Sequence, residues 1–188
     1  MLNGYNLAFM PINNSKEFTQ LAQDMSKDVK LGGYLLGPES LPHVSVCHFI
    51  MDETHIAEIW AQIQRLAIPL LSLKFSKIRT KIYSPDSYCN VTQCGVSLVP
   101  NNVDLLTKIH LMIVEIIENP LNASFSNYDP HLTLFNSYDI DGCQHFNYMD
   151  DNHLLLEDDF VIALGSIDRI GQVKNTLFTS SRNVVTDL

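Results

Sequence analysis

The sequence lacks the features that mark a membrane or secreted protein. No apolar run approaches the roughly 20 residues that a bilayer-spanning helix needs. The first residues lack the basic and apolar stretches of a signal peptide. The cytoplasm is therefore the predicted location. Cysteines are few and form no CxxC pair, which favours free thiols over a disulfide scaffold; they are Cys47, Cys89, Cys94 and Cys143.

Positive charge is also scarce. The chain has 12 Lys and Arg residues against 21 Asp and Glu, a net charge of −9 at pH 7. Long nucleic acids are bound by neutralising many phosphates, so duplex binding is not expected. A local pocket can still hold one or two phosphates, which favours a small nucleotide or an oligonucleotide end as the partner. The densest cluster of basic residues consists of Lys74, Lys77, Arg79 and Lys81. It either attracts phosphate or keeps a strand edge exposed to solvent, which discourages aggregation.

The pattern of apolar residues predicts one globular α+β domain over residues 1–188. Of the residues, 46% are hydrophobic and 18% charged, as in a folded protein. Alternating patterns predict strands over 5–10, 43–49, 71–76, 95–99, 131–135, 160–164 and 177–179. Helical spacing predicts a helix from a capping box at Asn14 and Glu17 to Gly32-Gly33, one capped by Asp52, and one over 103–117.

The motif Pro-His-x-Ser/Thr-x occurs twice, at Pro42–Val46 and at Pro130–Leu134. Side chains alternate along a strand, so His43 and Ser45 share one face while the aliphatic residues point to the other. The second copy repeats this arrangement. If the two strands face each other, two imidazoles and two hydroxyls converge on one point.

That set of side chains suits the cleavage of a phosphodiester. One of His43 and His131, when neutral, can take a proton from water, while the other, protonated, donates to the leaving oxygen. Ser45 and Thr133 can donate hydrogen bonds to the non-bridging oxygens, where charge develops. Such a site requires no metal and no other cofactor. Phe135 follows on the side of Thr133, where it either stacks on a base or simply packs.

The two motifs, their spacing and the order of elements resemble the two-histidine (2H) phosphoesterase superfamily, which includes 2′-5′ RNA ligase-like proteins and cyclic nucleotide phosphodiesterases. The resemblance extends over essentially the whole chain. It implies a bilobal, pseudo-duplicated α+β fold, with antiparallel sheets lining a central cleft and helices outside. It also implies hydrolysis of 2′,3′-cyclic phosphates or of 2′-5′ linked oligonucleotides, cyclic or linear. The implied catalytic positions are His43, Ser45, His131 and Thr133.

Two alternatives stay open beside this hypothesis. The chain could be a noncatalytic nucleotide-binding module of the same fold, or an RNA 2′-5′ ligase. Some RNA ligase-like members carry Arg shortly after the second motif, where this chain has Asn136. Together with the acidic balance, the missing guanidinium disfavours a grip on a long RNA backbone.

The other histidines are predicted to be structural. Strict alternation puts His48 on the face of Val44, away from His43, and His110 lies on the apolar stripe of its helix. Polar surroundings predict a surface position for His55, His145 and His153. A metal site would have to combine His43, Cys47, His131 and Cys143, and no pair among them has a recognised ligand spacing.

Overall fold

The computed structural model describes residues 2–85, 91–117, 120–121, 128–148, 155–169 and 171–180. The strands are β1 (Leu2–Pro11), β2 (Leu31–Leu35), β3 (Val44–Asp52), β4 (Leu71–Tyr83), β5 (Gln93–Pro100), β6 (Leu132–Ser137), β7 (Leu156–Ile167) and β8 (Val173–Thr179). The helices are α1 (Ser15–Met25), α2 (Ile56–Arg65), α3 (Val103–Val114) and α4 (Ile140–Gln144). Short 3-10 turns precede α2 and follow α4, at Glu53–His55 and His145–Tyr148. Among these elements, no helix is long and apolar enough to cross a bilayer.

The strands form one sheet, and every described pairing in it is antiparallel. The order of strands in the sheet differs from their order in the chain. The order is β1-β3-β6-β5-β4-β7-β8, with β2 added on β6. Because β1 also pairs with β7, six of the strands form a closed circuit of pairings. The predicted α+β class is confirmed.

Aromatic side chains hold the helices to the sheet. Phe18 of α1 packs edge-on against Phe75 and Phe160, with ring centroids 5.6 and 6.0 Å apart. Trp60 of α2 stacks on Phe178 of β8 at 5.7 Å. Offset and edge-to-face pairs of this kind add to the stabilisation from buried area. Helical spacing of the apolar residues therefore places one face of each helix against the sheet.

The predicted end of the first helix is wrong. The helix α1 ends at Met25, and Gly32 and Gly33 lie inside strand β2. A Cβ atom on Gly32 would lie 3.2 Å from backbone atoms of Asn136 and Ser137. Glycine is needed here because two backbones approach closely, not because a helix ends.

The predicted capping box at the start of α1 is also wrong. The Asn14 side chain makes no capping hydrogen bond and instead donates to the Glu157 carbonyl. The Asp158 carboxylate accepts from the backbone N–H groups of Asn13 and Asn14, both at 2.8 Å. The acceptor for this helix end therefore comes from β7, far away in sequence. Asp52 accepts from the Thr54 N–H, so it caps the 3-10 turn that leads into α2, whereas α2 itself has His55 at its start and no side-chain cap.

Candidate active site

The two motif strands lie side by side in the sheet. Strand β3 pairs with β6 at Val44 and Leu132, both fully buried. The residues flanking this pair lie on the other face: His43, Ser45, His131 and Thr133. His43 and His131 are diagonal neighbours across this pair. In an ideal antiparallel pair, such neighbours have Cβ atoms roughly 7 to 8 Å apart. The four side chains thus come together by edge-to-edge pairing, and not by two strands facing each other as the sequence suggested.

Both motif imidazoles are held in the same way. His43 Nδ1 lies 2.7 Å from the Leu41 carbonyl oxygen, and His131 Nδ1 lies 2.6 Å from that of Asp129. A carbonyl oxygen only accepts, so Nδ1 carries the proton and Nε2 of each neutral ring keeps a lone pair. The proline between each pair restricts the preceding residue to extended conformations, which favours this local bond.

Burial disfavours protonation of both motif histidines in the ligand-free protein. His43 is 6% exposed. Burial lowers the pKa of His43 to about 4, and the neighbouring His131 acts in the same direction. Burial also lowers the pKa of His131, against the opposing effect of its hydrogen bond to the Asp129 carbonyl. A proton on His131 would disfavour a second proton on His43, as expected for two neighbouring rings.

A β-bulge changes the faces of strand β3. Ser45 and Cys47 pair with successive residues of the range Leu7–Ala8, which leaves Val46 as an extra residue. The bulge moves His48 onto the face of Ser45, and His48 Nε2 lies 3.2 Å from Ser45 Oγ. The prediction that His48 points away from the site is therefore wrong, because strict alternation fails at Val46.

The same irregularity occurs at the same step of strand β6. Thr133 and Phe135 pair with successive residues of the range Val96–Ser97, which leaves Leu134 extra. Phe135 is consequently turned into the core, fully buried and edge-on to Phe146 at 5.8 Å. The prediction that Phe135 can line the site is corrected, because its ring does not reach the face of Thr133.

Two aromatic side chains behind the sheet stabilise the bulge in β3. His110 Nδ1 donates to the carbonyl of the bulged residue Val46 at 2.7 Å, which confirms the predicted core position of His110. The Tyr128 hydroxyl donates to the Ser45 carbonyl at 2.7 Å, and its ring stacks on His110 at 4.1 Å. A bulge interrupts the regular ladder of hydrogen bonds, and these donors satisfy the two carbonyls beside it.

Asn6 is a site residue that the sequence analysis missed. It lies on β1 opposite His48, is fully buried, and donates from Nδ2 to Ser45 Oγ at 2.9 Å. The available signal was its composition: Asn6 is a single amide inside the apolar run of the first strand. A buried amide is costly without hydrogen bonds, so its presence in such a strand indicates a partner.

The predicted basic cluster is divided between two places. Lys74 pairs with Glu157 at 2.9 Å. Arg79 and Lys81 both pair with Asp129, at 2.6 and 3.3 Å. Burial acts to raise the pKa of Asp129, but the hydrogen bond and charge of Arg79 hold it below the ordinary value. Arg79 and Lys81 thus lie beside the second motif, and Lys74 lies elsewhere.

Arg79 has two buried donor atoms without a partner among the described residues. Strand register places Arg79 opposite Ser97, and Ser97 opposite Thr133, so the three side chains form a row on one face. Within the described ranges, Arg79 Nε and Nη2 have no hydrogen-bond partner. The positive charges of Arg79 and Lys81 also lower the pKa of His131, consistent with their proximity to it.

The remaining candidate ligands do not form a metal site. In the part of the chain that the structure describes, no three His, Cys, Asp or Glu side chains are grouped to hold a metal ion. Cys47, Cys94 and Cys143 are buried free thiols. His55 and His145 are exposed, as predicted. Cys89 and His153 lie outside the described residues.

No protein-family model matches the chain, and no curated protein shows significant similarity to it.

Proposed function

We propose that the protein is a metal-independent phosphodiesterase that uses His43 and His131 as its acid–base pair. The observation that carries this proposal is the matched state of the two imidazoles. Each donates Nδ1–H to the carbonyl two residues earlier, at 2.7 and 2.6 Å, and keeps Nε2 available. The two histidines make the same hydrogen bond and lie on adjacent strands beside two hydroxyls. A role in proton transfer explains this arrangement better than packing does.

The reaction follows from the positions of these groups. His43, the more buried ring, stays neutral and takes a proton from water as the water oxygen attacks phosphorus. The bond from phosphorus to the leaving oxygen breaks, and protonated His131 gives its proton to that oxygen. Ser45 and Thr133 donate hydrogen bonds to the two non-bridging oxygens, where negative charge increases. A bound phosphodiester anion favours the protonated form of His131, which its surroundings disfavour in the free protein.

The proposed substrates are 2′,3′-cyclic phosphates or 2′-5′ linked oligonucleotides. The net charge of −9 opposes binding along a duplex. Arg79 and Lys81 lie beyond His131, where they would attract the anionic end of a small substrate. This supports a nucleotide or an oligonucleotide end over a long chain.

We further propose that the two halves of the chain form pseudo-symmetric lobes around the site. Each half contributes a motif strand with a bulge at the same step, after Ser45 and after Thr133. Each motif strand pairs with the first strand of its own half, β1 or β5. A site at the junction of two such halves would receive one histidine and one hydroxyl from each.

The test is a substrate screen in excess EDTA. Purified protein is incubated with nucleoside 2′,3′-cyclic phosphates and with 2′-5′ and 3′-5′ dinucleotides, and the position of the product phosphate is determined. Hydrolysis that persists in the chelator is expected. Activity that disappears with EDTA and returns with a divalent ion would contradict the mechanism. Binding of these compounds without turnover would favour the noncatalytic nucleotide-binding module.

A further inference from the structure

A third histidine, His48, contacts the site through the Ser45 hydroxyl. His48 Nε2 lies 3.2 Å from Ser45 Oγ, and the Asn6 amide donates to the same oxygen at 2.9 Å. The bulge at Val46 creates this contact, because regular alternation would put His48 on the opposite face. Ser45 thus has two polar neighbours from the protein before any ligand arrives.

The capacity of the hydroxyl decides what the third contact of Ser45 must be. A serine hydroxyl donates one hydrogen bond and accepts two. The Asn6 amide fills one acceptor position. If Nε2 of His48 carries a proton, it fills the second, and the only remaining capacity of Ser45 is to donate. If Nε2 lacks a proton, Ser45 must donate to His48 and is lost to the substrate.

We propose that His48 is a positioning residue that donates from Nε2 to Ser45 and thereby turns the Ser45 O–H toward the bound phosphate. The proposal deepens the proposed function and rests on it. His48 acts through Ser45 and does not touch the reacting atoms. In this proposal the neutral His48 ring carries its proton on Nε2. The rings of His43 and His131 instead carry theirs on Nδ1, which donates to a carbonyl.

Gly171, just before β8, lies close to the His48 ring. Gly171 has φ of +81°, and a Cβ atom there would lie 3.4 Å from His48 Cε1. Glycine adopts this backbone conformation without strain. The His48 ring thus lies between the Ser45 hydroxyl and the backbone near Gly171.

Two variants separate hydrogen bonding from packing. In His48→Gln the amide nitrogen takes the place of Nε2 and can still donate, whereas His48→Leu fills space without a donor. We expect His48→Gln to keep most activity and His48→Leu to lose about 10- to 1000-fold, the cost of one preorganised donor. In a Ser45→Ala background, His48→Leu should cost little more, because residues that act as a unit are not additive. Equal losses in both His48 variants, or additive losses, would overturn the proposal.

Phosphorothioate substrates give a readout that a structural role would not change. Sulfur accepts hydrogen bonds poorly, so each diastereomer weakens one of the two non-bridging contacts. One diastereomer carries its sulfur at the position that Ser45 contacts. We expect both His48→Leu and Ser45→Ala to abolish the discrimination against this diastereomer. Thr133→Ala is the matched control and should leave that discrimination intact. Loss of discrimination in Ser45→Ala but not in His48→Leu would overturn the role of His48.

Nitrogen-15 NMR of the histidine side chains makes the inference independent of turnover. At neutral pH, His48 should carry its proton on Nε2, while His43 and His131 carry theirs on Nδ1. Inorganic phosphate should bind the wild type and His48→Gln more tightly than His48→Leu. A His48 protonated on Nδ1 alone, or no phosphate binding by the wild type, would overturn the inference. Absence of hydrolysis alone would reject only the proposed function.

Discussion

The two motif strands share a bulge and a histidine tautomer but differ in their surroundings. On β3, the Ser45 hydroxyl forms hydrogen bonds with the neutral side chains of Asn6 and His48. On β6, the motif lies beside the charged group of Arg79, Lys81 and Asp129. One side of the site is therefore arranged by buried hydrogen bonds and the other by ion pairs.

This difference suggests different roles for the two sides. A neutral, buried environment disfavours an imidazolium, which suits His43 as the base. Cations beside His131 would attract the substrate anion, which in turn favours protonation of the acid. His48 and Asn136 occupy the same step after the two bulges, so the asymmetry arises largely at this position. Histidine there lies within hydrogen-bonding distance of Ser45 Oγ.

Removing either motif histidine should have the largest effect. His43→Ala and His131→Ala should each lower kcat by about 100- to 10,000-fold, the range for a general acid or base. The double variant should be little worse than either, because a base without its acid has little left to lose. Steady-state rates and thermal melting would be measured together, with exposed His55→Ala as the control. A folded His131→Ala protein with near-normal activity would contradict the two-histidine mechanism.

Removing either hydroxyl tests whether both strands contact the phosphate. Ser45→Ala and Thr133→Ala should each lower kcat by about 10- to 1000-fold, with KM changing less. The Ser45 variant should also free Asn6 and His48 of their shared partner and lower the melting temperature more. Kinetics and melting curves of both variants check this. Unchanged rates in both would mean that the hydroxyls do not touch the phosphate.

If the proposed mechanism holds, the pH dependence of kcat/KM reports the two histidines in the free protein. The active form has one ring protonated and the other neutral. Because the pKa of His43 is about 4 and that of His131 is also lowered, this form should be most abundant below pH 6.5. Above both pKa values kcat/KM should fall about tenfold per pH unit. Rates from pH 4 to 8 would be measured with a diester substrate. A maximum above pH 7 would contradict the neutral state of the free site.

Neutralising Arg79 should have a smaller effect, on the charged side alone. Arg79→Gln should lower kcat/KM by about tenfold, as expected for one charge-assisted hydrogen bond. The dependence of substrate binding on salt should become weaker. Lys74→Gln, at the other end of β4 and paired with Glu157, is the matched control. Equal effects of the two variants would instead indicate general attraction by the whole basic cluster.

The sequence predicted the α+β class and the four motif side chains because these depend on local patterns. It did not predict the bulges at Val46 and Leu134, which depend on how β3 and β6 register against their partners. A single extra residue reversed the expected faces of His48 and Phe135. The cap of α1 was missed for a similar reason, since Asp158 reaches it from β7. Contacts between distant strands therefore account for the main corrections.

The smallest expected effect is on stability, and it comes from the buried histidines. On β3, burial lowers the pKa of both His43 and His48 to about 4. Above pH 6.5 these rings are neutral in folded and unfolded chains alike, so they add no pH dependence. As the pH falls from 6.5 toward 4, the unfolded chain takes up protons first and the folded state is destabilised.

Each such histidine should reduce stability by at most about 1.4 kcal/mol per pH unit in this window. For a chain of this size, that corresponds to about 3 to 6 °C in melting temperature per pH unit. His43→Gln should therefore give a shallower fall in melting temperature between pH 6.5 and 4, whatever its stability at pH 7.5. His55→Gln, at an exposed position, is the control and should follow the wild-type slope. Parallel curves for His43→Gln and the wild type would mean that His43 is not held neutral by burial.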